Sequence, residues 1–347
     1  SSARADLVIY GGPIYTAEDA APTAEAVAVR DGRIVYVGAR AGLDAFAGEG
    51  TARIDLQGAA LFPGFVDGHA HLRGIGEREL TLNLEGMKSI AELQETLRAM
   101  ARGEGRGPIA GRGWIETHWP EKRFPTRLDL DAAVPDRPVI LVRADGHALV
   151  ANSAALRAAG VTRATVAPSG GEILKDAAGE PTGMLIDTAM GLVERLIGEP
   201  DDDARRRALQ TGYQVYAGYG WTGLHNMSVD WRDVELLEEL GGLTVSPRVY
   251  NAVVPEAATR LFQSGPRSAA DGRVQTRAIK YYVDGALGSR GAALFEPYSD
   301  APHTRGLVTL EEGEATRAWT EALRRGIQIT THAIGDRGNS LVLDWYD

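Results

Sequence analysis

Between residues 6 and 60, apolar and polar positions alternate in short stretches separated by turn residues: DLVIYGGPIYT, AEAVAVRDGRIVYVGA and ARIDLQGAALFPG. A period of two marks half-buried strands, and Asp31-Gly32 between two such stretches marks a tight hairpin. The pattern predicts a small antiparallel β unit. From residue 61 it changes. FVDGHAH (65–71), GWTGLHNM (220–227), SPRVYNAVV (246–254), AIKYYVDG (278–285) and IQITTHAIGD (327–336) read as strands with helical periodicity between them. Strands separated by helices predict βα units and a parallel sheet. DDDARRRALQTGYQVYAGYG begins with acids and ends in glycine. EEGEATRAWTEALRRG has acids first, arginines in its last turn and Gly326 as a stop, so both carry helix boundaries. Helix, glycine and strand recur in that order, as a barrel requires.

About 145 residues separate the first two of these strands, whereas a βα connection needs one helix and two short loops. Residues 73–200 therefore read as an inserted α+β subdomain. It contains a helix at SIAELQETLRAMARG, with Ser89 and Glu92 as a capping box and Ile90, Leu93, Leu97 and Met100 along one face. A strand at RPVILVRA, a helix at NSAALRAAG and a Gly/Pro-rich stretch at 168–183 follow. The expected organisation is a β unit at 1–60, an α/β barrel-like part from 61–72 and 201–347, and the insertion at 73–200.

Composition narrows the chemistry. With 347 residues, 44% of them hydrophobic and 24% charged, the chain can bury a sizeable core. The net charge is −10 and the Lys and Arg residues are scattered, which argues against nucleic acid or an anionic membrane as partner. There is no cysteine, so disulfides, thiol nucleophiles and thiolate ligands are excluded together. Any bound metal must be held by nitrogen and oxygen. No apolar run approaches the roughly 20 residues of a membrane span, so a soluble protein is expected. The opening SSARADLV lacks Met, which fits a processed export signal or a trimmed sequence equally; cytoplasm and periplasm both stay open.

Three strand ends carry the candidate chemistry. His69 and His71 stand one residue apart, so on a strand they point the same way, and two imidazoles there can share one cation; a pair of solvent-facing loop histidines is the alternative. In AIKYYVDG, Ile279, Tyr281 and Val283 fall on one face and Lys280, Tyr282 and Asp284 on the other. An ammonium inside a barrel either pairs with an acid such as Asp284 or loses its proton and does chemistry. His332 lies at the end of the fifth strand, as a ligand or as a structural histidine.

These segments, taken in order as LFPGFVDGHAHL, GWTGLHNM, RAIKYYVDGALGSRGAALFEPYSD and ITTHAIGDRGNSLVLDWYD, resemble the amidohydrolase superfamily. Within it they resemble the family 3 branch of N-substituted formamide deformylase-like proteins. The resemblance implies a (β/α)8 TIM-type barrel with a β-sandwich built from the two chain ends. It implies metal ligation by His69, His71, Lys280 and His332, with one or two divalent ions, zinc by default, and Lys280 N-carboxylated as a bridge. It also implies metal-assisted hydrolysis of a C–N bond in an amide, formamide or cyclic amide. An isomerase or decarboxylase on the same ligands is the alternative, or an inactive fragment.

The sequence departs from that pattern in one respect. Such enzymes also use a strand-six histidine and a strand-eight aspartate, and no histidine follows His332. Five barrel strands of eight are legible. An open five-strand sheet exposes its edges, so a C-terminal remainder or a second chain is expected to complete it, and a homodimer is compatible. The partner is otherwise a small-molecule substrate. Loops on this face vary between relatives of one scaffold, and they offer Trp114, His118 and Trp119 as an aromatic wall, with His147, His225, Asp284 and Arg290 as further substrate contacts. For the tryptophans ordinary packing is the alternative; for Arg290 it is a plain surface position.

Overall fold

A computed structural model of the chain describes residues 4–103, 106–242, 246–287 and 290–347. It divides into two compact units, one taking residues up to Asp67 with Gly220–Gly223, the other Gly68–Tyr219 with Leu224–Asp347.

The first unit holds β1 (Leu7–Tyr15), β2 (Thr23–Arg30), β3 (Arg33–Gly38) and β4 (Ala52–Asp55) in the sheet order β3-β2-β1-β4. Asp31 and Gly32 both adopt positive φ, 51° and 72°, which is the geometry a two-residue hairpin between right-twisted strands demands. Val8, Ala26, Ala28 and Leu43 form its small core. The unit departs from the expected all-antiparallel arrangement, because β4 runs parallel to β1.

The second unit opens with the last three residues of β5 (Val66–Ala70) and α1 (Leu72–Leu80), then enters the insertion. There β6 (Leu82–Asn83), α2 (Ile90–Ala101), β7 (Ile109–Trp114), α3 (Arg127–Asp131), β8 (Val139–Arg143), β9 (Ala148–Ala151), α4 (Ser153–Ala159), β10 (Gly171–Lys175), β11 (Pro181–Asp187) and α5 (Gly191–Glu194) build a mixed sheet ordered β10-β11-β9-β8-β7-β6. Val139 and Leu141 belong to one buried cluster with Leu93, Leu97 and Trp114, while Ile140 belongs to another with Ala155, Leu156 and Val193. A strand covered on both faces loses its alternation, which is why VILV reads as an unbroken apolar run. The Gly/Pro-rich stretch forms the antiparallel hairpin β10–β11. Ser89 caps α2 by accepting from the Glu92 amide at 3.1 Å. The reciprocal half of the box slips by one residue, because the Glu92 carboxylate takes the amide of Lys88 at 2.7 Å.

The chain then continues through α6 (Asp202–Gly218), β12 (Gly223–Val229), α7 (Trp231–Leu240), β13 (Arg248–Val253), α8 (Ala258–Ser264), β14 (Arg267–Ala269), β15 (Val274–Tyr282), α9 (Glu312–Arg324), β16 (Gln328–His332) and α10 (Asp336–Tyr346). Its sheet runs β14-β15-β13-β12-β5, with β16 also paired to β15. The α/β fold is thus observed as an open set, and no closed barrel exists among the described residues. All of helix α1 but Leu72 falls within 73–200, yet it packs on α6. A Cβ on Gly76 would lie 1.6 Å from the Ala208 carbonyl oxygen, and one on Gly212 would lie 2.6 Å from that of Leu72, so glycines set this close approach. Between β13 and β15, Asn251 pairs with Thr276 and Ala252 with Ala278, leaving Arg277 as an extra residue in a bulge.

Candidate metal centre

His69 sits near the end of β5 and His71 one step beyond it, at the residue that caps α1. Their rings are 5.4 Å apart and nearly perpendicular, and both side chains are exposed. The His71 Nδ1 faces the Met227 carbonyl oxygen at 3.0 Å. A carbonyl can only accept, so Nδ1 carries the proton and the Nε2 lone pair is left for a ligand, the arrangement that metal-binding histidines use.

The alternation read in AIKYYVDG holds in the structure. Tyr281 meets the ring of Trp319 on α9, whereas Lys280 lies with its Nζ 5.1 Å from the ring of Tyr282. Lys280 is only 3% exposed, and burial lowers its pKa from the ordinary lysine value. No ion pair joins it to Asp284, so the expected charge pair is replaced by a desolvated amine. Tyr282 also reaches the ring of His332 at 5.2 Å and shares a short hydrogen bond with Ser228. Ser228 holds φ at 58°, a left-handed conformation that is costly for a residue with a side chain. Together Tyr282, Ser228, Met227 and His71 link the ends of β15, β12 and β5.

In metal-free protein, Lys280→Met is expected to be more stable than wild type near neutral pH, with the difference closing as pH rises toward 10.5. Between its lowered folded pKa and that value the unfolded chain binds the proton and the folded chain does not, so wild-type stability climbs with pH through this window. Urea unfolding across the window measures it; a difference that stays constant with pH contradicts the desolvated-amine assignment.

Asp284 is not available to substrate. It is 2% exposed, and its carboxylate accepts the backbone amides of Ala293 at 2.8 Å, Ile334 at 3.0 Å and Gly335 at 2.8 Å. His332 Nε2 donates to the Gly285 carbonyl at 3.4 Å and lies 3.6 Å from Asp284, so Nδ1 is its remaining lone pair. Other substrate expectations are also corrected by packing. Trp114 is fully buried and donates its indole N–H to Leu141 at 2.8 Å; Trp119 is buried too and donates to Met87 at 2.7 Å. Neither forms an exposed wall. Arg290 pairs with Asp300 at 2.8 Å on the surface. His118 is exposed at the end of a short turn, His147 is exposed and bonds Asp187 at 2.9 Å, and the His225 ring lies tilted 5.0 Å from that of Tyr250.

Two groupings escaped the sequence reading. Buried Asp233 accepts from Arg73 of α1 at 2.6 Å and from Arg205 of α6 at 2.7 Å, tying both helices to α7. Buried Asn226, Asn251 and Thr276 bond one another at 3.1 Å each across three strands. Asparagine is unfavoured inside strands, and that was the available signal. A cleft of about 200 Å³ beside His71 is lined by Arg73, Glu77, Asn226, Ser228 and Asp233.

The donors fit a hard or borderline divalent metal, being imidazoles and a buried amine of lowered pKa with no sulfur. They do not converge into a ready cage: no group of three or more His, Asp or Glu side chains stands close enough to share an ion among the described residues.

The chain belongs to the amidohydrolase family, whose model matches residues 52–347. Protein LONG AFTER FAR-RED 3 of Arabidopsis thaliana is 31% identical over 99% of this chain and 61% of its own length. N-substituted formamide deformylase of Arthrobacter pascens is 27% identical over 99% of this chain and 66% of its own length. The crystal structure of an uncharacterized metal-dependent hydrolase from Pyrococcus furiosus superposes with a TM-score of 0.81 at 28% identity, covering 98% of this chain and 69% of the other. The chain thus spans under two thirds of the length of the first of these relatives, and about two thirds of the second. Among the described residues no helix is long and apolar enough to cross a membrane.

Proposed function

We propose that this chain carries the metal-binding part of a hydrolase that cleaves a C–N bond in an amide, formamide or cyclic amide. The observation that carries the reading is the pairing of His69 and His71, with His71 Nδ1 fixed on Met227, with a buried lysine on β15 of the same sheet whose pKa burial lowers. Family membership and the likeness to a metal-dependent hydrolase support it. His69, His71, Lys280 and His332 would hold one or two divalent ions, with zinc the best match to nitrogen and oxygen donors. Such an ion supplies Lewis acidity and a bound water of lowered pKa.

The chain's own residues prepare that chemistry. Burial lowers the Lys280 pKa and so favours its neutral amine, whose nitrogen lone pair can bond the carbon of CO2; loss of one N–H proton then leaves a carbamate anion in place of a repelled ammonium. Tyr282 and Ser228 set hydroxyls at the same strand ends. His225 beside Tyr250, with His118 and His147 on the insertion, are the remaining candidates for substrate contact. Further strands, from the same polypeptide or a second one, would close the barrel.

The test uses full-length protein. It should retain metal through gel filtration and release amine from at least one of a panel of N-formyl amines, N-acyl amines and cyclic amides. Chelation should abolish this, and zinc, manganese or cobalt should restore it. Failure to hold metal, or absence of hydrolysis across the panel by metal-loaded protein, overturns the reading.

A further inference from the structure

Helix α1 begins in an unusual way for a helix that must hold a functional side chain at its start. The first amides of a helix lack partners within it, and the residue before them ordinarily supplies one through a Ser, Asp or Asn side chain. His71 occupies that position and its side chain makes no such bond. Its ring turns instead to the Met227 carbonyl. The first helical amide, Leu72 N–H, is taken from another strand altogether, by the Asn226 Oδ1 at 2.9 Å. Two consecutive residues of β12 therefore grip both halves of His71's surroundings: Asn226 holds the backbone beyond it, and Met227 holds its imidazole.

The grip has a fixed orientation. Asn226 donates through Nδ2 to Asn251 Oδ1, and Asn251 donates through Nδ2 to Thr276 Oγ1. Each amide is thereby prevented from turning over, which would present an N–H to the Leu72 N–H. All three side chains are more than nine-tenths buried. Replacing a satisfied buried polar set by apolar groups of the same shape is often neutral for stability, so stability alone is a weak reason to keep it. Orientation is the stronger one.

We infer that Asn226 is a positioning residue for His71, capping α1 from β12 so that the histidine at the helix start is free to direct its Nε2 toward a metal. The inference rests on the metal-binding reading above. Groups that orient a ligand in this way commonly change metal affinity by about 10–100-fold when removed.

Cobalt(II) titration of the full-length protein, followed by its visible d–d absorption, provides the test. Asn226→Ala should weaken cobalt binding by about 10–100-fold. Asn226→Asp keeps an acceptor for Leu72 and should stay nearer to wild type than the alanine variant. Leu237→Ala, in the buried face of α7, lowers stability without touching this contact and should leave affinity unchanged. An alanine variant that binds cobalt as wild type does overturns the inference, as does an aspartate variant as weak as the alanine one. Should Asn226→Ala fail to fold, Asn251→Ala is read in its place: it frees the Asn226 amide to turn, and unchanged affinity overturns the inference. A wild-type protein that binds no cobalt overturns the metal reading itself, a result distinct from any of these.

Discussion

Asp284→Ala is expected to destabilise the second unit by roughly 3–6 kcal/mol, measured by urea unfolding. The carboxylate is buried and collects three backbone amides, from Ala293, Ile334 and Gly335. Each amide stranded away from water costs about 1–3 kcal/mol, and bonds to a charged acceptor lie toward the upper part of that range. Asp284→Asn is expected to recover only part of the loss, because its NH2 group must face at least one of the same donors. A loss under about 1 kcal/mol would mean that water reaches these amides and that the clamp is not closed. The clamp matters beyond stability, since two of its amides lie just after His332 and fix the turn into α10.

Lys280→Ala is expected to halve or abolish the metal content of the full-length protein and to lower turnover on the order of a thousandfold. The second figure follows from removing a proposed ligand of ions that would contribute several kcal/mol at the transition state, each 1.36 kcal/mol being about tenfold in rate. Elemental analysis after gel filtration reads the first quantity and amine release the second. The variant's helix-side packing is untouched, because Tyr281 and Val283 face away from Lys280, so a folded protein is expected. Unchanged metal content would remove Lys280 from the ligand set.

Much of the architecture was legible because the signals are local. Asp31-Gly32 specifies its hairpin through backbone preference alone, and Ile279, Lys280, Tyr281 and Tyr282 sort to opposite faces by a period of two. What was missed depends on residues far apart in the chain. The bond from Leu72 to Asn226 spans 154 positions and that from Arg73 to Asp233 spans 160, so no local pattern announces either. The tryptophans of GRGWIETHWP misled for a related reason. Composition says only that a large ring needs cover, and cover comes from the insertion's own core rather than from a substrate. Asp284 shares that lesson: its nearest cation in sequence is Lys280, yet three uncharged amides satisfy it instead.

The extra residue at Arg277 gives chain length a chemical meaning in β15. Before it, Thr276 joins the polar ladder that leads to α1; after it, Lys280 and Tyr282 occupy the opposite side of the sheet although their positions share the same parity. Because Ala252 already pairs with Ala278, deleting Arg277 would remove the bulge and leave Lys280 on its present side, whereas deleting Ile279, which lies between the bulge and the lysine, would turn Lys280 among the helices. A single-codon deletion after the bulge would thus act as a substitution of the proposed ligand while one at the bulge would not, and β15 of any relative has to be aligned through its irregular step rather than by counting residues.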